Sequence, residues 1–447
     1  MNNKRKNLET EENVSKKYKS VESIESVESV ESNLIIENGI LTKVKDKKVK
    51  SIIIPDNVTT IENYAFYECK ALTTVIFTVK SKLTTIGRFA FGNCKALIKI
   101  NIPEGVTNIK FRAFDGCIAL TTVTFAKTSK LTIGQSAFSK CEALIEINIP
   151  ESVTTIDHGV FDYCKSLTTI NIPEGVTTIG FGAFSNCEAL TTVIFTGESN
   201  LTTIRRHAFD RCIALIKINI PEGVTTIEDS AFNGCEALTT VTFTGESKLT
   251  TIGFQAFFVC KALKNINIPD NVKTIEERAF ANCEALTTVI IPDKIDINTF
   301  NENIFENKPE EEEDMPIWRH YIKMETDTIY SLKNVIIKTT DSCGTSEEAI
   351  KLKTKIEEWK TVKVKVVIGT SDKLIKFIIL LTEESNLKNN ETNILSEVMA
   401  FLDGKNKKYT KDKKSKKKSK FQRKKSKSLR KKSNKKSKFQ RKKSKKI

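Results

Sequence analysis

The sequence predicts a right-handed, β-rich solenoid of about eleven coils with short helical turns, capped at the front by a hairpin. A small α+β module and a disordered basic tail are expected to follow. Three observations support this architecture. Ten of the eleven cysteines recur every 23 to 25 residues, a short alternating apolar segment follows each of them, and positive charge is concentrated at the carboxyl end. The expected segments are a leader (1–32), the capped solenoid (33–300), an acidic linker (301–315), the module (316–403) and the tail (404–447).

The leader and the cap come first in the chain. Four Val-Glu-Ser or Ile-Glu-Ser triplets occupy residues 21–32 and fit neither a helical nor a strand period. We therefore expect a disordered, acidic-polar leader. Two apolar runs within residues 34–44 then flank Asn38 and Gly39. An Asn-Gly pair in this setting indicates a tight hairpin, which would cover the open end of a solenoid.

The repeat itself is defined by its cysteines. Each periodic Cys has a Phe three positions before it, from Phe66 to Phe280, and a Leu three positions after it. The segment L-x-x-V/I-x-I/F indicates a short strand with one buried face, and Val-Thr-Thr-Ile indicates a second one. Ala-Phe-x-x-Cys has a spacing that fits one side of a helical turn. Because such a unit cannot bury its apolar side alone, neighbouring coils must stack.

The full pattern L-x-x-V-x-I-P-x-x-V-x-x-I-G-x-x-A-F-x-x-C runs through residues 49–291. It resembles the BspA-type, or Treponema pallidum-type, leucine-rich repeat. The resemblance implies a leucine-rich-repeat solenoid used for adhesion or protein binding, as found on bacterial surfaces and in protists and large DNA viruses. It implies no reaction.

The compartment is predicted from the absence of targeting signals. The first residues are polar and charged, without the apolar core of a secretory signal. No apolar run reaches the ~20 residues that span a bilayer. We therefore expect an intracellular protein, cytoplasmic or nuclear. A surface or virion-associated location is the alternative.

The sequence has no Gly-x-Gly-x-x-Gly, Walker A, H-E-x-x-H or Gly-x-Ser-x-Gly pattern, so we expect neither an enzyme nor a cofactor. The cysteines recur once per coil and form a line, whereas zinc needs about four converging ligands. We interpret them as buried packing residues; disulfides between adjacent coils are the alternative, disfavoured inside cells. His158, His207 and His320 form no catalytic or metal-binding arrangement.

The outward positions of the longer strands are the candidate protein-binding face, because side chains alternate across a strand. Leucine-rich repeats bind partners through such a face, and repeat proteins spread contacts over many coils. The alternative is that Thr and Asn simply suit stacked strands. The first row is Thr74, Lys99, Thr122, Glu146, Thr169, Thr192, Lys217, Thr240, Asn265 and Thr288. The second row is Ile76, Asn101, Thr124, Asn148, Asn171, Ile194, Asn219, Thr242, Asn267 and Ile290.

The module is predicted from patterns between residues 316 and 403. Val335 begins an apolar strand signal, and Thr345 or Ser346 can cap a helix that carries Ala349, Leu352, Ile356 and Trp359. Two further strands, at residues 362–366 and 374–381, and a last helix near residues 394–402 complete a β-α-β-β-α order. A catalytic role would need a cleft with convergent polar groups, which the sequence does not show.

The tail changes the meaning of the net charge. Residues 404–447 contain 25 Lys or Arg and one acid, whereas residues 1–403 carry 47 basic and 54 acidic residues, so a net +17 divides into +24 and −7. The tail can bind nucleic acid or another polyanion through counterion release. A nuclear-import signal and a merely solubilising segment are alternatives. Its candidate polyanion-binding residues are Lys420, Arg423, Lys424, Lys425, Arg430, Lys431, Lys432, Lys438, Arg441, Lys442 and Lys443.

Overall fold

The computed structural model describes residues 33–126, 130–305, 332–339, 346–358 and 365–370. The predicted leader, the tail, most of the linker and the carboxyl half of the module lie outside these residues. The chain divides into two compact units. The described part of the first unit contains the solenoid, residues 332–337, residues 346–358 and residues 365–367; that of the second contains only residues 338–339 and 368–370.

The longer strand of each coil forms where the sequence alternates β-branched and polar residues, with the apolar set buried. These strands are β3 Ser51–Ile54, β5 Thr74–Phe77, β7 Lys99–Ile102, β9 Thr122–Phe125, β11 Glu146–Asn148, β13 Thr169–Ile172, β15 Thr192–Phe195, β17 Lys217–Ile220, β19 Thr240–Phe243, β21 Asn265–Asn267 and β23 Thr288–Pro292. The nine longer strands with odd numbers from β3 to β19 form one sheet, in which they follow one another in chain order. The resolved pairings are parallel, as stacked coils require.

The second strand of each coil has two residues and forms at the Val-Thr-Thr-Ile segment. These strands are β4 Thr60–Ile61, β6 Thr85–Ile86, β8 Asn108–Ile109, β10 Thr132–Ile133, β12 Thr155–Ile156, β14 Thr178–Ile179, β16 Thr203–Ile204, β18 Thr226–Ile227, β20 Thr251–Ile252 and β22 Thr274–Ile275. Their ladder is interrupted between β10 and β12. The interruption coincides with the one coil in which a single residue, Thr132, separates the apolar residue Leu131 from Ile133, where the other coils have two.

The predicted hairpin cap is confirmed. Strands β1 (Leu34–Glu37) and β2 (Ile40–Val44) pair antiparallel. Asn38 and Gly39 both have positive φ, 51° and 76°, which is the conformation that a tight hairpin turn requires. Strand β2 then pairs in parallel with β4 of the first coil. The cap therefore covers the open edge of the shorter-strand sheet.

Each coil closes through a run of consecutive turns, where the sequence suggested a helical turn. The residue two before each core Phe and the residue before each Cys have positive φ, at sixteen non-glycine and four glycine positions. In the first coil the N–H groups of Tyr64, Phe66 and Glu68 donate to carbonyls of the next coil, whereas those of Tyr67 and Cys69 donate within their own coil. Left-handed backbone costs a non-glycine residue ~1–2 kcal/mol, and this third hydrogen-bond ladder offsets that cost.

The core is a stack of phenylalanine rings along the solenoid. Eleven Phe, from Phe66 to Phe305, stack in sequence with adjacent ring centroids 4.9 to 6.1 Å apart. The last of them continues the series beyond the recognised repeats, since Phe280 and Arg278 donate their N–H groups to Ile304 and Asn303. A short 3-10 helix, Glu302–Ile304, carries this final turn. About eleven coils are therefore present, as predicted.

The solenoid is extended by elements from the predicted module. Strand β24 (Asn334–Thr339) lies beside β23, and β25 (Lys365–Thr370) lies beside β24. Helix α1 (Glu347–Glu357) begins at the predicted cap: the Ser346 hydroxyl accepts a hydrogen bond from the N–H of Ala349 at 3.0 Å. Leu352 and Ile356 are buried, as their helical spacing predicted. A separate module remains a prediction for the residues outside the described part.

Candidate protein-binding face

The structure places the two predicted rows of outward side chains along the longer strands, on the nine-stranded sheet as far as β19 and on a separate four-stranded sheet at β21 and β23. Eighteen of the twenty are exposed or half-exposed. The exceptions are Thr288 and Ile290, which are 7% and 1% exposed. Both lie on β23, and the side-chain amide of Asn334 on the neighbouring β24 donates to the Thr288 hydroxyl at 3.4 Å. Both still continue the outward rows, opposite Asn265 and Asn267, but the prediction that they are available to a partner is wrong, because they are buried where β24 continues the sheet beyond the last coil.

Register keeps each row in line across the sheet. Thr74 lies opposite Lys99, Lys99 opposite Thr122, and Thr122 opposite Glu146. Along the second row, the Thr124 hydroxyl donates to the side-chain carbonyl of Asn101 at 2.7 Å. A partner would therefore meet an ordered array of hydroxyl and amide groups, with few charges.

Threonine also has a structural use beside this face. The hydroxyl of Thr73 donates to the carbonyl of Lys50 in the preceding coil at 2.9 Å, and Thr121, Thr191 and Thr239 repeat the contact in later coils. A second series runs along the shorter strands, for example from Thr84 to the carbonyl of Thr59 at 3.0 Å. These threonines precede the strands. The hydroxyls of four of them also lie 3.3 to 3.4 Å from those of the neighbouring outward-row residues Thr74, Thr122, Thr192 and Thr240, so the hydrogen-bond series reaches the face as well.

The cysteine row is buried between coils. Each thiol from Cys94 to Cys283 donates to the carbonyl oxygen of a Phe in the preceding coil, at 3.1 to 3.3 Å. All ten are free thiols. Burial raises the pKa of the Cys69 thiol to about 11 and raises that of Cys94 further. No three His, Cys, Asp or Glu side chains converge on a metal-sized point in the part of the chain that the structure describes.

The histidines lie on the coil surface. His158 is exposed, with its ring 6.4 Å from that of Phe181. His207 packs edge-on against the other side of Phe181 at 5.4 Å, and its Nδ1 lies 3.5 Å from a carboxylate oxygen of Asp210. His320 and the eleven candidate residues of the tail lie outside the described residues.

A second surface was not predicted from the sequence. We define the turn ridge as the two residues that precede each core Ala-Phe or Val-Phe pair. Its members are Asn63, Tyr64, Arg88, Phe89, Phe111, Arg112, Gln135, Ser136, His158, Gly159, Phe181, Gly182, Arg206, His207, Asp229, Ser230, Phe254, Gln255, Glu277 and Arg278. At its first three coils, aromatic rings and arginines from successive coils contact one another. In the sequence, this surface is indicated by the variation in residue type among coils at these two positions.

The stacked coils and the described strand face define a leucine-rich-repeat scaffold. A profile of the BspA-type leucine-rich repeat region matches residues 35–167, 84–212 and 190–312, with six copies. Since the matched residues make up more than half of the sequence, the chain belongs to the BspA-type leucine-rich repeat family. Among curated proteins, none matches the sequence.

Solved structures of similar fold come from several bacteria. A leucine-rich repeat protein of Bacteroides ovatus is 22% identical, with 75% of this chain and 97% of that chain covered and a TM-score of 0.33. A leucine-rich cell surface protein of Faecalibacterium prausnitzii is 23% identical over 74% and 96%, with a TM-score of 0.31. The Treponema pallidum leucine-rich repeat protein is 21% identical over 55% and 82%, with a TM-score of 0.27.

None of the helices in the described ranges combines the length and the apolar character needed to cross a bilayer.

Proposed function

We propose that the protein is a non-enzymatic binding scaffold whose strand face, the two outward rows on the longer strands, binds a protein partner. The observation that supports this is the series of exposed or half-exposed outward side chains, most of them Thr, Asn or Lys, on the longer strands from β5 to β21. A flat, hydrogen-bonding surface repeated over many coils suits a partner that makes many modest contacts.

The test is to capture partners with a chain that lacks residues 404–447 and then to measure each captured partner's affinity for variants. Lys99→Glu combined with Lys217→Glu reverses the two positive charges of the face, and we expect at least a tenfold loss. The matched control is Lys70→Glu combined with Lys95→Glu, since both residues are exposed but lie outside the face. Equal affinity of the two double variants would contradict the proposal.

We further propose that the tail tethers the scaffold to nucleic acid or another polyanion. The support is its charge of +24 over 44 residues. Deletion of residues 404–447 should abolish retention on nucleic acid while leaving the circular dichroism of the solenoid unchanged. Retention of the full chain should fall steeply between 50 and 200 mM salt, by roughly a thousandfold or more for six to ten phosphate contacts. Retention that does not depend on salt would contradict the tether.

The second candidate is an adhesin-like surface or virion component. Membership of the BspA-type repeat family favours it, because such repeats serve adhesion in surface proteins. External protease added to intact cells or particles distinguishes the two candidates. Cleavage of the chain under these conditions supports the surface role, and full protection supports the intracellular scaffold.

A further inference from the structure

The turn ridge varies between coils more than the strand face does. Each of its two positions holds seven residue types over ten coils, whereas the two rows of the strand face hold four and three. The position after each Cys is also mostly exposed, yet it holds only Lys, Glu or Ile, as at Lys70, Glu142 and Ile213. Exposure alone therefore does not account for the variation. The residue before each Cys, in the same run of turns, also holds seven types, as at Glu68 and Tyr163, so individual coils differ in chemistry mainly along their turns.

The first three coils of the ridge form an aromatic and basic cluster. Tyr64 is 53% exposed and stacks on Phe89 with ring centroids 5.2 Å apart. Phe89 meets Phe111 edge-on at 5.5 Å. The guanidinium groups of Arg88 and Arg112 lie 5.3 and 5.2 Å from the Phe111 ring centroid. The rings thus form an apolar strip with two cations along it.

The cluster has unbalanced charge. Neither guanidinium pairs with a carboxylate among the described residues, and both arginines are exposed. Lys110, next to Phe111, is also exposed. The position just before the ridge holds Glu62, Gly87 and Lys110 in these three coils, so it supplies one acid. The surface therefore suits a ligand that carries both carboxylates and aliphatic groups.

The described chain begins beside this cluster. Asn33 accepts a hydrogen bond from the N–H of Lys45 at 2.9 Å, and the N–H of Val44 donates to the carbonyl of Ala65 at 3.1 Å. Ala65 directly follows Tyr64, the first ridge residue of the cluster. Strands β1 and β2 precede the first coil along the solenoid axis, and each adds one strand spacing. Asn33 therefore lies roughly 10 Å from Tyr64 along that axis.

The twelve residues before Asn33 have the complementary chemistry. Residues 21–32 contain four Glu and four Val or Ile, each recurring every third position, and no Lys or Arg. Extended at ~3.1 Å per residue, they span ~37 Å, which exceeds the ~20 Å from Asn33 to the third coil. In this extended conformation the Val and Ile side chains recur every ~9.3 Å. Tyr64 and Phe111 lie two coils apart along the solenoid, which is about twice the ~4.8 Å coil spacing. The two repeats therefore nearly match.

We propose that residues 21–32 dock in cis along the turn ridge of the first three coils, with Val and Ile on the strip of Tyr64, Phe89 and Phe111 and Glu on Arg88 and Arg112. The short tether makes the segment's effective concentration high, so that even weak contacts keep it bound. The leader thereby covers a surface that an acidic, aliphatic segment of another protein could occupy only by displacing it. This surface is distinct from the strand face of the proposed function.

Photocrosslinking in the full chain tests the docking. A benzophenone amino acid replaces Ile24, light and heavy isotope-labelled chains are mixed, and the adducts are mapped by mass spectrometry. We expect adducts within one chain, on peptides that contain Tyr64, Phe89 or Phe111. Adducts only between light and heavy chains would instead assign the surface to a second copy. Adducts on the strand face or on the tail, or no adduct, would also overturn the proposal.

Charge variants test the pairing. Arg88→Glu combined with Arg112→Glu should lower the yield of the intrachain adduct at least fivefold, and adding Glu25→Lys and Glu28→Lys should restore at least half of it. The matched control, Lys99→Glu combined with Lys217→Glu, makes the same charge change on the strand face and should leave the yield within twofold. If the arginine variant does not fold, the same crosslinking is measured on the chain with native arginines in 0.5 M NaCl. The salt should lower the yield of the intrachain adduct severalfold, and an unchanged yield would contradict the proposal.

Discussion

The thiol of Cys94 donates a hydrogen bond to the carbonyl oxygen of Phe66, one coil earlier, at 3.1 Å. That same carbonyl accepts the N–H of Cys69 within its own coil at 3.0 Å. Each Phe carbonyl of this kind thus satisfies both of its lone pairs, one inside its coil and one across to the next coil. The repeated Phe-to-Cys offset is therefore a device that joins neighbouring coils.

The position of a phenylalanine in the stack should determine the cost of its removal. Phe184 has stacking neighbours on both sides, at 5.4 and 5.2 Å, whereas Phe305 stacks on Phe280 at one side and meets Phe300 edge-on at 6.2 Å. We expect Phe184→Ala to lower the free energy of unfolding by ~3–5 kcal/mol and Phe305→Ala by clearly less. Urea unfolding followed by circular dichroism measures both. Equal losses would contradict the idea that a Phe stacked on both sides contributes more to stability than one stacked on one side.

The ten thiols of the solenoid should be unreactive in the folded protein. Burial raises the pKa of the nine thiols from Cys69 to Cys260, to about 11 at Cys69, so their thiolate forms are scarce at neutral pH. Cys283 is also buried. We expect iodoacetamide at pH 8 to label none of the ten within an hour, and all of them in urea. Cys343 lies outside the described residues and is replaced by Ser for this measurement. Rapid labelling of Cys187 in the native chain would contradict the buried row.

Asp162 should make stability depend on pH. Burial raises the pKa of its carboxyl to about 6, although side-chain hydrogen bonds from Asn186 and Ser185 and the charge of Lys140 act to lower it. Because the folded pKa lies above the unfolded value near 4, the folded state binds the proton more tightly. The tighter proton binding of Asp162 in the folded state therefore contributes to the free energy of unfolding. This contribution is complete below about pH 4 and is lost as the pH rises through 6.

Replacing Asp162 by Asn isolates that contribution. A shift of two pKa units corresponds to ~2.7 kcal/mol, and because the side chain is half-buried we expect water to screen it to ~1 kcal/mol. Asp162→Asn should therefore remove the decline in unfolding free energy between pH 4 and 6 and raise that free energy at pH 7. Glu151→Gln, an exposed carboxylate of the same coil, is the control and should retain the decline.

Ser346 should hold the end of the solenoid together. Its hydroxyl caps helix α1 and donates to a carboxylate oxygen of Asp293 at 3.1 Å. We expect Ser346→Ala to cost ~1 kcal/mol, the usual value for losing such a cap, and to raise hydrogen exchange in β24 and α1 while leaving the central coils unchanged. Thr354→Ala, whose hydroxyl bonds within the helix, is the comparison. Faster exchange in the central coils would show that the effect is not local.

The repeat could be predicted in detail because its signals are local and are repeated ten times. The Phe, Cys and Leu positions, the two strands of each coil and the Asn38-Gly39 hairpin all follow from spacing and alternation within a few residues. The N-cap at Ser346 is likewise a local signal. The rows of the strand face followed from the period-2 rule, which holds wherever a strand forms.

The sequence by itself thus determined the solenoid, its buried ladder and the separation of a nearly neutral face from a basic tail. Only the tertiary structure decided the left-handed turns, since residues as different as His207 and Val259 adopt them to bond to the next coil. It also decided the burial of Ile290 and the cluster of Tyr64, Phe89 and Arg112. Such contacts join residues 20 or more positions apart, and they exist only once stacking has placed those residues side by side.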